Sequence, residues 1–200
     1  MKNFLIISLF FFVGCPKLID EPSLIEKNGV MYLPLSDKPY SGDVSKLDNF
    51  GKKLLKGTYK NGKLDGLSTF WYEDGQKMGE GTYKNGNRVG LYTQWFENGQ
   101  KEYEETYKGG KEDRLWTWWY ENGQKLKEET YKGGKEDRSW TSWYKNGQKK
   151  FEGISKDGKR DGLWTDWDEN GKKLKEETYT DGELIFQECW DEDGNEKECD

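Results

Sequence analysis

No histidine occurs anywhere in the 200 residues. Ser-His-Asp and Cys-His nucleophile systems are therefore excluded, and a zinc site would have to form without its commonest nitrogen ligand. Alanine is lacking and apolar residues make up only 32%, with aromatics at 16%, which argues against an aliphatic globular core and for thin, largely aromatic burial. An excess of basic charge is lacking too. Nucleic-acid binders usually carry a basic stripe, and anionic membrane surfaces attract basic patches. Neither is visible in this acidic chain. The glycine-rich turns contain no GxxxxGK[ST] and no GxGxxG between a strand and a helix, so phosphate cradling has no support. The 35% charge resembles a disordered composition, but disordered segments are poor in aromatics, and here aromatics return on schedule.

The longest apolar run, Phe4 to Val13, is about ten residues, short of the roughly 20 that a membrane-spanning helix needs. Preceded by Lys2 and closed by Gly14 before Cys15, it reads as a signal peptide over residues 1–14. Its end, Phe12-Val13-Gly14-Cys15, resembles a bacterial lipobox, with phenylalanine where leucine is usual. That resemblance implies lipidation of Cys15, hence an exported, membrane-anchored protein of a bacterial cell envelope. Removing Lys2 leaves 31 basic against 38 acidic residues, a net charge of −7. Residues 15–39 read as a tether followed by a capping hairpin at Asn28-Gly29, with Pro34 and Pro39 limiting its strand.

From Tyr40 a 24-residue step governs the chain. Tryptophans at 71, 95, 119, 143 and 167 keep it, as do glycines at 75, 99, 123, 147 and 171. Such a period marks an array whose units bury apolar surface only against their neighbours. Turn glycines alternate at spacings of 11 and 13 residues, mostly as Asn-Gly, Asp-Gly or Gly-Gly, so each repeat holds two strands. The expected fold is all-β: an elongated antiparallel meander of repeated hairpins over residues 40–195, with 196–200 as a tail, in about fourteen strands spanning roughly 65 Å.

Tyr59-Lys60-Asn61-Gly62-Lys63-Leu64-Asp65-Gly66 resembles the MORN repeat, and Tyr83 to Gly90 resembles it again. Later copies depart from it, with Arg114 and Arg138 in place of glycine. The Trp-Tyr and Asn-Gly-Gln elements are closer to the MORN variant repeats of bacteria, a group labelled YwqK-family antitoxins. The resemblance implies a binding or scaffolding role, or an antitoxin or immunity role acting by direct binding.

Two-residue turns would pair Thr93 with Glu104, Leu91 with Thr106 and Gly90 with Tyr107. One face then carries Leu115, Thr117 and Trp119, and the other Trp116, Trp118 and Tyr120. The Thr-Trp columns recur in every repeat and are expected to be the packed face. The less regular face is expected to meet a protein or glycan partner through Trp116, Trp118, Tyr120 and Trp140. The recurring Glu80, Glu104, Glu128, Glu152 and Glu176 read as structural, so no catalytic residue is assigned. Asp191 to Glu196 reads as a plain turn rather than a calcium loop, and no metal or cofactor is expected. With Cys15 lipidated in an exported chain, Cys189 and Cys199 are expected to pair. A two-residue turn at Asp193-Gly194 would set residue 189 opposite 198, so a bulge or a longer turn is required.

Overall fold

In a computed structural model, residues 19–199 are described; the signal peptide, Cys15 and the start of the tether lie outside them. Two kinds of turn alternate. At the narrow turns both central residues have positive φ, 51° and 74° at Asn61-Gly62 and 61° and 78° at Gly109-Gly110. These are type I′ hairpins, which Gly, Asn and Asp tolerate best.

The wide turns are longer than expected. At Glu97-Asn98-Gly99 the Phe96 amide donates to the Gln100 carbonyl and the Gly99 amide to the Phe96 carbonyl, both at 2.9 Å. The loop thus has three residues, with Gly99 in the left-handed position at φ 79°. A bulge at Glu102 then restores the register, since Trp95 faces Lys101 while Gln94 faces Tyr103. The two departures cancel, and the pairs Thr93–Glu104, Leu91–Thr106 and Gly90–Tyr107 all form.

The Asn-Gly-Gln element now has a physical reason. The Asn98 side-chain carbonyl accepts the Gln100 amide at 2.9 Å, and its NH2 donates to the Glu121 carbonyl of the next wide turn at 2.9 Å. Asn122 and Asn146 reach Lys145 and Glu169 in the same way, at 2.9 and 2.7 Å. The hydroxyls of Tyr72, Tyr120 and Tyr144 donate to the carbonyls of Trp95, Trp143 and Trp167 at 2.7, 3.0 and 2.9 Å. Successive wide turns are stitched together along one rim.

From Gly42–Leu47 to Glu196–Lys197 the strands pair antiparallel in chain order. Among the described residues the sheet has eighteen hydrogen-bonded segments. Three passes are split in two by bulges at Asp65, Asp113 and Asp161, whose amides donate to the Thr58, Thr106 and Ile154 carbonyls at 2.8, 2.9 and 2.8 Å. Merging those three pairs leaves fifteen passes, the first of them only Ile19–Asp20, which runs parallel to the edge strand with Ile19 opposite Val44.

The hairpin of Ile25–Lys27 and Val30–Tyr32 forms a separate two-stranded sheet. It does not extend the array edge. Instead the Met31 amide donates to the Gly62 carbonyl at 2.9 Å and the Tyr40 amide to the Met31 carbonyl at 2.8 Å, laying the hairpin against the first narrow turn. Leu24, Tyr40, Val44 and Tyr59 are buried beneath it, with Ile19, Met31 and Leu64 packed around them.

At the other end the loop after Trp190 again has three residues, closed by the Asp191 amide and the Asn195 carbonyl at 2.9 Å. This sets Cys189 opposite Lys197. Cys199, two residues further on, comes to the same side, and the two cysteines form a disulfide with Cα atoms 5.4 Å apart. Closing a loop of this size contributes about 3 kcal/mol in the chain-entropy account.

Candidate functional site

The packed face is the one expected to meet a partner. Val44, Ser68, Tyr92, Trp116, Trp140 and Trp164 form one column at the repeat step, and residues 57, 81, 105, 129, 153 and 177 face it across the strands. Trp116 is 8% exposed and Trp164 4%. Their indole N–H groups donate to the Thr106 and Ile154 carbonyls at 3.0 and 2.9 Å, which lays each ring along the sheet. Gly153 makes room, since a Cβ there would stand 2.1 Å from the Trp164 ring. Tyr107 and Tyr131 flank Trp116 with ring centres 5.2 and 5.0 Å away, and Trp140 contacts Phe151 and Trp164 at 4.8 and 5.5 Å.

The expected partner surface is corrected accordingly. Trp116 is a core residue. Tyr120 spends its hydroxyl on the Trp143 carbonyl at the wide turn. Trp140 is half-buried among other rings, and half-buried Trp118 lies 5.7 Å from Trp116 with the Lys127 ammonium 4.1 Å from its centre. Alternation gave two aromatic faces, and recurrence is a measure of periodicity rather than of depth.

Two ion-pair clusters on this face escaped the sequence reading. The Arg88 guanidinium stacks 3.5 Å from the Tyr92 ring centre and donates to the Glu105 carboxylate at 3.2 Å. Tyr107 donates to the same carboxylate at 2.8 Å. Three repeats later Arg160 lies 4.3 Å from the Trp164 ring centre and donates to Glu177 at 3.1 Å, and Tyr179 joins it at 3.0 Å. The recurrence of Arg-Glu-Tyr at 88, 105, 107 and at 160, 177, 179 was the available signal. The two carboxyls titrate in opposite directions. Burial pushes Glu105 above the usual carboxylate range despite Tyr107 and Arg88. Burial also opposes ionisation of Glu177, but the hydrogen bonds of Lys175 and Tyr179 and the charge of Arg160 outweigh it and hold that carboxyl low.

The opposite face carries a ladder. Lys77, Lys101, Lys125, Lys149 and Lys173 pair with Glu80, Glu104, Glu128, Glu152 and Glu176 at 2.8, 2.6, 2.6, 2.5 and 2.6 Å. The same ammonium groups lie 5.7, 5.5, 5.5, 5.7 and 5.1 Å from the ring centres of Trp95, Trp119, Trp143, Trp167 and Trp190. The recurring glutamates are thus occupied by structure. At Asp191 the carboxylate accepts the Asp193 and Asn195 amides at 2.9 Å each, a capped turn. Among the described residues no group of acidic and cysteine side chains could hold a metal ion, and no helix is long and apolar enough to cross a membrane.

The MORN repeat variant family matches residues 64–85, 88–108, 115–132 and 160–181. Each matched stretch runs from the neighbourhood of one narrow turn to the next across a wide turn, so the family unit is the strand, wide turn and strand described above. Over these four repeats the chain is a MORN repeat variant array. No curated protein matches the chain.

Proposed function

We propose that this chain is a non-enzymatic binding scaffold, held at a membrane of a bacterial cell envelope by lipid on Cys15, which offers one broad face of its sheet to a protein or glycan partner. The supporting observation is the single layer: among the described residues no helix or second sheet covers the array beyond its N-terminal hairpin. A sheet that no second layer covers has surface to spare for recognition, most of all on the side of the exposed leucines 67, 91, 115 and 163, and the repeats make that surface long.

The anchor is tested by phase partition. The mature protein is expected in the detergent phase, and Cys15→Ser is expected to release it or leave it unprocessed. Multiple acyl chains make such attachment stable where one chain is marginal. Unchanged partition of the variant contradicts the anchor.

A further inference from the structure

The narrow turns bring to one rim a set of charges that the linear sequence disperses. Four of these hairpins are closed by lysine opposite lysine: Lys60–Lys63, Lys108–Lys111, Lys132–Lys135 and Lys156–Lys159. All eight are exposed, and none takes part in an ion pair among the described residues. Like charges directly opposite across a hairpin destabilise it, so folding gains nothing from this choice. Nearby carboxylates are partly committed elsewhere, Asp65 and Asp161 accepting the Asn85 and Asp181 amides of the next narrow turn at 3.2 and 3.3 Å.

The lysines share a face with a second row. Lys108 lies two residues beyond Thr106, the cross-strand partner of Leu91, and residues two apart in a strand point the same way. On that face Leu67, Leu91, Leu115 and Leu163 are 60, 55, 48 and 51% exposed. The row has one gap, Ser139, and it is filled from the adjacent strand. Ile154, paired with Ser139, is 51% exposed where the other repeats carry Thr58, Thr82, Thr106, Thr130 and Thr178. The leucines stand in register, one per repeat, with threonines such as Thr82 and Thr106 between them, and among the described residues no second layer covers them.

We infer that this lysine and leucine strip docks an acidic amphipathic segment of a partner protein, its carboxylates along the narrow-turn rim and its apolar side chains on the leucine row. The two rows run parallel and advance by two strands per repeat, about 10 Å, close to the roughly 11 Å rise of two helical turns, so every second apolar position on one stripe, i and i+7, meets the same point of the next repeat. A ligand with charge alone would leave the leucines uncovered, and one with apolar surface alone would leave the paired lysines unneutralised. The inference rests on the scaffold reading and narrows it to one face and one partner chemistry.

The test uses the full mature chain and a labelled synthetic helix with leucine at heptad a and d positions and glutamate on its remaining surface. Binding is expected, weakening at high salt as exposed charges are screened. Lys108→Glu with Lys132→Glu is expected to weaken it at least about tenfold while melting no lower than the parent, and Leu91→Ser with Leu115→Ser is expected to weaken it likewise while keeping the parent's far-UV circular dichroism. Failure of the acidic peptide to bind, equal binding of its lysine-for-glutamate version, or equal binding of leucine-free polyglutamate overturns the inference. So does loss of binding to anionic lipid vesicles in these variants with the peptide unaffected, which would assign the strip to a membrane. A partner captured equally from envelope extracts by parent and variants would leave the scaffold reading standing and overturn this one.

Discussion

Leu115 and Trp116 are neighbours in one strand, yet the leucine is 48% exposed and the tryptophan 8%. The difference separates the two faces of the array. On the Trp116 side, volume is traded across strands: Val44 faces Gly57, Tyr92 faces Gly81, and Trp140 and Trp164 both border Gly153. That side varies from repeat to repeat because each large ring needs a small or flexible neighbour. On the Leu115 side, the Thr, Glu, Lys and Trp columns repeat almost unchanged, because the same lysine bridges the same glutamate and tryptophan in five repeats, and Thr69, Thr93 and Thr165 donate to that glutamate as well. Irregularity therefore marks close ring packing here, and regularity marks a repeated ladder whose threonines 69, 93, 117 and 165 are themselves buried and whose leucines and lysines face outward.

The largest expected effect is on the packed side. Trp164→Ala is expected to cost about 4 kcal/mol of stability, whereas Trp167→Ala, three residues on and facing the ladder, should cost nearer 1 kcal/mol for its Lys149 contact and partial burial. Denaturant midpoints of the two variants check this, and equal costs would erase the distinction between the faces. A smaller effect lies in the backbone. Arg114 holds φ at 66°, where Gly66, Gly90 and Gly162 stand in other repeats at 126°, 71° and 85°. Arg114→Gly is expected to stabilise by about 1 kcal/mol, read from the melting temperature.

The smallest effect separates the two ion-pair clusters by pH. Glu177, held low in the folded state, contributes stability above its unfolded titration range and loses it as pH falls through the folded value. Glu105, held high, contributes only below its unfolded range and loses that as pH rises through its folded value. Glu177→Gln should therefore be destabilising at neutral pH, with the deficit fading in acid. Glu105→Gln should compare more favourably with the parent at neutral pH than in acid. Unfolding curves at several pH values distinguish the two, and parallel profiles would contradict the opposite shifts.

The sequence made the period, the turn positions, the strand direction and the pairing register legible, because Asn-Gly and Asp-Gly carry their backbone angles with them. The wide turns were misjudged by one residue at Glu97, since a three-residue loop uses the same Asn-Gly letters, and the bulge at Glu102 concealed the error. The packed face was not legible. Leu67, Leu91 and Leu115 have the composition of a core and Ser68 does not, yet Ser68 is fully buried and the leucines are exposed; only neighbours on adjacent strands decide this. The lysine rim was hidden for a similar reason, because pairs separated by 24 or 48 residues in an acidic chain become one row only after the hairpins stack.

Hydroxyl-radical footprinting of the unmodified folded chain tests the division of faces most directly, with each side chain's oxidation rate normalised to its intrinsic reactivity. Trp116 and Trp164 are expected to be strongly protected, and Leu67, Leu91, Leu115 and Leu163, each about half exposed, to be far less protected. Protection of the leucines with rapid oxidation of Trp116 and Trp164 would show that the faces are the other way round.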